Sequence, residues 1–331
     1  MMQGKLVLAD GTIYLGRAFG AVGEKVGEVV FTTNICGYQE VLTDPSHRGQ
    51  IVVMTYPLIG NCGINNFSNQ SSEPQVAGFV AREFCELPFH WQSEGSIKEY
   101  FFQHNIIALD GIDTRSLTKK LRTCGSMPGV IACGTSHTDQ ELIEKAQRAK
   151  LSSDLVSEVS TKIPYFYNRT GSKKIAVVDL GVKKNILNSL AALDCQVMVY
   201  PYKVKAEEIL ASGCHGVLFS NGPGDPKNLP QLVETAKQIL GKLPVMGIGL
   251  GHQIICLSLG ADTYKLKFGH RGGNQPVKDL ASGEITITSQ NHSYAVLEES
   301  LINTGLYVSH RNLNDNTVEG ESSKAFPLIS V

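Results

Sequence analysis

At 331 residues, with 42% hydrophobic and 18% charged side chains, the chain is long enough for two cores and has no composition for long disorder. A formal net charge of -1, with Lys and Arg spread along the sequence, leaves no electrostatic footprint for nucleic acid or an anionic membrane, so neither is expected as a partner. The apolar stretch of about four residues before Asp10 is too short for a signal peptide, no run approaches the roughly twenty apolar residues of a membrane span, and a cytoplasmic location is expected.

The first part alternates short apolar, β-branched runs with glycine and proline breaks. This predicts strands over residues 5–8, 29–33, 51–56 and 75–80. After Gly111-Ile112-Asp113-Thr114-Arg115 the spacing predicts a helix over 116–122, capped by Asp113 or Thr114. Residues 1–150 form a first domain on this reading. Over 151–172 the periodicity fades while Pro164, Asn168 and Gly171 accumulate, the pattern of a linker. A second domain follows over 173–331. Strands are expected at 175–180, 197–202, 216–219 and 244–248, with helices at 182–193, 206–211, 229–240 and 252–259. Such alternation predicts an α/β fold with a doubly wound, mostly parallel sheet, which binds ligands at the carboxyl ends of its strands.

The eight cysteines are scattered without a C-x-x-C pair, which argues against a zinc knuckle or a redox motif, and no metal is expected. Most read as buried thiols. Cys256, four residues after His252 on an apolar helix, reads as core.

Two strand ends carry the chemistry. Ser220-Asn221-Gly222-Pro223-Gly224-Asp225-Pro226 follows the strand 216–219, and its glycines and prolines fix a tight loop whose amides can face an oxyanion or carboxylate. Gly247-Ile248-Gly249-Leu250-Gly251-His252-Gln253 joins an apolar strand to a helix. Small residues two before and two after a central position suit a strand-turn-helix elbow, whose central residue is normally a nucleophile. That position is Gly249. A dinucleotide loop would need glycine where His252 stands, and no Lys-Ser or Lys-Thr follows to make a phosphate loop.

SNGPGDP, GIGLGHQ, FGHRGGNQPV (268–277) and SQNHSYAV (289–296) resemble the class I glutamine amidotransferase domain of carbamoyl-phosphate synthase. GYQEVLTDPS (37–46), TYPLIGNCGIN (55–65) and GIDTRSLTKKLR (111–122) are similar to the first domain of that enzyme's small subunit. The resemblance runs essentially end to end. It implies a cysteine thiolate attacking the glutamine side-chain amide, a histidine oriented by a glutamate, and ammonia passed to a large subunit. That subunit combines it with bicarbonate and ATP, for arginine or pyrimidine synthesis, so ATP and Mg are expected there and no cofactor here. By motif, the oxyanion amides are those of Gly224 and Leu250, and glutamine is held by Ser46, Gly222, Gly224, Leu250, Gln253, Asn291, Ser293 and Tyr294.

Two departures bear on catalysis. Gly249 stands where the resemblance implies the cysteine, and the family's His-Pro-Glu segment would come after Val331. The resemblance gives His252 and His292 supporting roles, and Ser293 stands where glycine is usual, a change that is tolerated if only the backbone amide is used. Glutamine hydrolysis is therefore expected to be deficient. The alternatives are a non-catalytic structural partner of the large subunit and a glutamine-binding pseudoenzyme. Gln253 reads either as a ligand of glutamine or as bonded within its helix, Tyr294 as ligand or core, and His270 with Arg271 as interface or solvated turn. Ending at Val331 is expected to leave an unpaired strand edge and a weak second domain.

Overall fold

The computed structural model describes residues 2–134 and 136–331. They divide into two compact units, Met1–Ser152 with His270–Gly273, and Ser153–Gly269 with Asn274–Val331.

In the first unit the alternating runs become β1 (Met2–Leu8), β2 (Ile13–Gly20), β3 (Gly23–Thr32), β4 (Gln50–Met54), β5 (Leu58–Ile59), β6 (Gly78–Val80), β7 (Glu83–Phe84), β8 (Ile107–Asp110) and β9 (Met127–Cys133). The helices are α1 (Tyr38–Thr43), α2 (Ile97–Gln103), α3 (Thr114–Cys124) and α4 (Asp139–Gln147). A closed barrel forms in the order β1-β2-β8-β6-β4-β3-β9, with β5 and β7 as a separate pair. Closure pairs the strands all round and leaves no edge to aggregate. The α3 cap is Asp113, whose carboxylate accepts from the Ser116 N–H at 2.9 Å.

Against the barrel packs an aromatic cluster in which Phe84 and Phe101 meet edge-on, ring centroids 5.1 Å apart, and Phe79 lies 5.8 Å from Phe101. Phe101 is fully buried. Truncating it leaves a cavity that backbone-anchored neighbours fill only in part. Phe101→Ala is expected to cost about 3–5 kcal/mol in urea denaturation of the full chain. A change below about 1 kcal/mol would mean that this cluster is not part of the cooperative core.

His270 and Arg271 are not a solvated turn. Both are buried, and the Arg271 carbonyl accepts from the Thr33 N–H at 3.0 Å and the Thr33 hydroxyl at 3.2 Å. Burial pulls the Arg271 guanidinium down to about 10, against the opposing field of Glu28.

The second unit contains β10 (Tyr165–Asn168), β11 (Lys173–Asp179), β12 (Cys195–Pro201), β13 (Gly216–Phe219), β14 (Val245–Gly247), β15 (Thr263–Asp279) apart from its residues 270–273, β16 (Ile285–Val296), β17 (Leu306–Asn312), β18 (Val318–Ser323) and β19 (Leu328–Ser330). Its helices are α5 (Leu155–Val159), α6 (Lys184–Ala192), α7 (Ala206–Ala211), α8 (Pro230–Ile239) and α9 (Leu250–Ser258). The sheet order is β10-β12-β11-β13-β14-β19-β18-β16-β15-β17. β12, β11, β13, β14 and β19 run parallel to their neighbours in that order. Successive residues of these strands point to opposite faces. Accordingly Val178 and Phe219 pack with Ile209, Leu232 and Ile254 of α7, α8 and α9, whereas Val177 and Leu218 pack with Leu187 of α6. Helices on both faces make the sheet doubly wound.

Three expectations need correction. Residues 151–172 are not irregular, because they carry α5 and then β10, whose Tyr165 and Phe166 pair with Val199 and Met198 at the edge of the sheet. β19 is not an unpaired edge either: β14 binds one side of it and the returning β18 the other, and the Val331 N–H reaches the Gly247 carbonyl at 3.0 Å. Nor are most thiols buried, since only Cys133, Cys195 and Cys256 are, while Cys36, Cys62 and Cys124 are exposed on loops and a helix end.

Candidate functional site

The carboxyl ends of the neighbouring parallel strands β13 and β14 place the two glycine-rich segments side by side. The Phe219 carbonyl accepts from Ile248 N–H and the Ser220 carbonyl from Gly251 N–H, each at 3.0 Å. The loop after β13 is also tied to the end of β11. Ser220 Oγ accepts from Leu180 N–H at 3.0 Å, and the Asn221 carboxamide accepts from Lys183 N–H at 3.1 Å and donates to the Gly181 carbonyl at 2.9 Å. Gly222 sits so tightly on this support that a Cβ there would lie 2.1 Å from the Leu180 carbonyl oxygen. Gly224, at φ +93, meets only ordinary contacts.

Gly249 precedes α9 with φ 54 and ψ -110, the strained geometry of an elbow, which glycine adopts without a Cβ penalty. A Cβ at this position would meet Asn221 Cβ at 3.7 Å, an ordinary contact, so the site has room for a side chain. The Gly249 N–H donates to the Val331 carbonyl at 2.8 Å. Leu250 opens the helix, where an N–H has no helical acceptor and the helix dipole presents its positive end.

Gln253 does not bond within its helix. Its Nε2 donates to the Tyr294 carbonyl at 2.7 Å, joining α9 to β16. Tyr294 is partly exposed rather than core, and Asn291 and Ser293 are half-buried on the same strand, two residues apart and so on one face. His292 Nδ1 also reaches the Tyr294 carbonyl, and its Nε2 lies 3.3 Å from Glu319. Thus Gly222, Gly224, Gly249, Leu250 and Gln253 are assembled by two strand ends and a helix, and β16 is bonded to that helix. Ser46 belongs to the first unit, where it is buried in a turn and its N–H donates to Asp44 Oδ1 at 2.9 Å.

One turn inside the elbow lies a buried polar group that sequence reasoning missed. His252 Nδ1 is 2.8 Å from Glu321 Oε2 and 3.0 Å from Ser330 Oγ, and the Cys256 thiol is 3.2 Å from the same carboxylate oxygen. Burial disfavours the charged imidazole, but the Glu321 carboxylate outweighs it and holds His252 above the usual histidine range. Burial, then Glu321, pushes the Cys256 thiol well up. The signal available in the sequence was the pair Glu319 and Glu321 at strand spacing, which puts two acids on one face of β18.

The model for the carbamoyl-phosphate synthase small chain, CPSase domain, matches residues 6–131, and that for glutamine amidotransferase class-I matches residues 176–331. The carbamoyl phosphate synthase small chain of Bacillus cereus (strain ATCC 10987 / NRS 248) is 49% identical over 330 residues, 100% of this chain and 90% of that one. The chain belongs to the carbamoyl-phosphate synthase small-chain family. Small chains of Syntrophotalea carbinolica, at 46% identity with 92% of the relative covered, and Clostridium perfringens, at 47% with 93% covered, also match all of it. The small-chain CPSase-domain match lies within the first unit, and the glutamine-amidotransferase match, which contains both strand-end motifs, lies in the second apart from residues 270–273. Among the described residues no helix is long and apolar enough to cross a membrane.

Proposed function

We propose that this chain is the glutamine-amidotransferase subunit of a cytoplasmic carbamoyl-phosphate synthase, that it docks on a large subunit and binds L-glutamine, and that it does not hydrolyse it. The observation that carries this reading is Gly249 at the apex of the elbow, with an elbow's backbone geometry and room for a side chain but no thiol. The residues assigned to glutamine by motif support the binding half of this reading. The amides of Gly224 and Leu250 would face the amide oxygen, and preformed donors stabilise charge developing there without reorganisation. Gly222, Gln253, Asn291, Ser293 and Tyr294 would hold the rest of the substrate.

Without a nucleophile these donors have no bond-forming step to assist. In triad hydrolases, loss of the nucleophile lowers turnover by about a millionfold, roughly 8 kcal/mol of barrier. The large subunit would bind ATP and Mg and take free ammonia instead, its product serving arginine or pyrimidine synthesis. The test is carbamoyl phosphate formation by this chain with a purified large subunit, comparing glutamine with ammonium. Synthesis from ammonium alone is expected, and glutamine-dependent synthesis overturns the reading.

A further inference from the structure

The buried cluster inside the elbow has a chemistry of its own. His252 and Cys256 are one turn apart on α9, so both project from the same helix face. Glu321 comes from β18 and Ser330 from β19. The nitrogen, sulfur and carboxylate donors of His252, Cys256 and Glu321 all lie within 4.8 Å of one another. His252 is 5% exposed and the other two are fully buried. Glu321 Oε2 is shared by His252 and Cys256, but Oε1 has no hydrogen-bond partner among the described residues although it is buried. A buried carboxylate oxygen without a partner is costly, and it marks a place where a cation or donor belongs.

We propose that His252, Cys256 and Glu321 form a zinc site, with the Ser330 hydroxyl or a water as fourth ligand, that ties α9 to β18 and β19. One thiolate and one carboxylate neutralise a divalent ion, and the neutral imidazole adds no charge, so the buried centre carries none overall. The donor set of one nitrogen, one sulfur and one oxygen suits zinc and excludes magnesium and calcium, which take oxygen ligands. A tetrahedral zinc about 2.0 Å from nitrogen and oxygen and about 2.3 Å from sulfur sets its donors roughly 3.3–3.6 Å apart. The observed 2.8 Å and 3.2 Å separations need only a few tenths of an ångström of opening. The thiol proton leaves as the metal enters, since metal ligands bind deprotonated. The site is structural: its residues come from α9, β18 and, through Ser330, β19, so that a bound ion cross-links the three elements.

The experiment is production of the full chain in cobalt-supplemented medium, then absorption spectroscopy and metal analysis after purification. One equivalent of cobalt with thiolate-to-cobalt charge transfer and strong tetrahedral visible bands is expected. Cys256→Ser should abolish the charge-transfer band, Glu321→Gln should weaken or abolish binding, and a variant with Cys36, Cys62 and Cys124 all changed to Ser should keep the full spectrum. Circular dichroism confirms that each variant is folded. Absence of the bands in the unaltered chain overturns the proposal, as does their survival in folded Cys256→Ser or their loss in the triple surface variant. Because the readout is metal binding, it is independent of whether the chain hydrolyses glutamine.

Discussion

Replacing Gly249 by cysteine gives the chain a thiol that an electrophilic glutamine analogue, such as a chloroketone, alkylates in stoichiometric amount, where the unaltered chain reacts at this site not at all. The space exists, since a Cβ at this position makes only an ordinary 3.7 Å contact with Asn221. The environment suits a reactive thiolate, because the position precedes the first turn of α9 and a helix N-terminus lowers a thiol's pKa. Exposed Cys36, Cys62 and Cys124 also react with electrophiles, so the readout is peptide mapping, with glutamine as protectant. Labelling at 249 that excess glutamine suppresses is the expected result. Labelling indifferent to glutamine, or none, would mean that this elbow is not where glutamine binds.

The same substitution carries a stability cost. At φ 54 and ψ -110 a residue with a Cβ is held in sparsely populated backbone space, which costs about 1–3 kcal/mol. Glycine releases that strain, so the chain as it stands should be the more stable form, and urea denaturation of the pair measures the difference. This is the usual exchange between a strained functional residue and stability, seen from its relaxed side.

How far the sequence revealed this depends on the range of the interactions involved. The strand 216–219 and the helix 206–211 are read to the residue because their pattern is local: a short apolar run in one and a short amphipathic turn in the other. Barrel closure is not local. β1 pairs with β9, more than a hundred residues away, as Leu6 opposite Ile131, and no window of sequence contains both. β10 was hidden because its aromatic residues sit among Pro164, Asn168 and Gly171, and only the partner strand β12 makes it extended. β15 does not show as a strand in the sequence, since Gly269, Gly272, Gly273 and Pro276 are poor strand formers that tertiary pairing overrides. At the site, both glycine-rich loops and the sharp turn at Gly249 are legible from spacing. Glu321 was not, because an acid on a strand reads as solvated until the helix carrying His252 covers it.

Gly251→Ala separates the two reasons for glycine in the elbow. By helix propensity alone, alanine in the first turn of α9 should stabilise by up to about 1 kcal/mol. Space reverses the sign: a Cβ at Gly251 would lie 2.1 Å from the Phe219 carbonyl oxygen and 2.5 Å from its carbon, both backbone atoms that no rotamer change can move. Relief requires α9 to lift from the end of β13, stretching the 3.0 Å bond from Gly251 N–H to the Ser220 carbonyl. The expected net effect is destabilisation at the upper end of the roughly 1–3 kcal/mol typical of overpacking. Glutamine affinity should fall with it, because Gly251 lies between Leu250, whose amide would face the substrate, and Gln253, whose side chain holds β16. Calorimetric titration with glutamine and urea denaturation of Gly251→Ala check both effects. A stabilised variant that binds glutamine normally would show that α9 is free to move off the sheet, and the tight seating of helix on strand would no longer explain why the elbow needs glycine on this side.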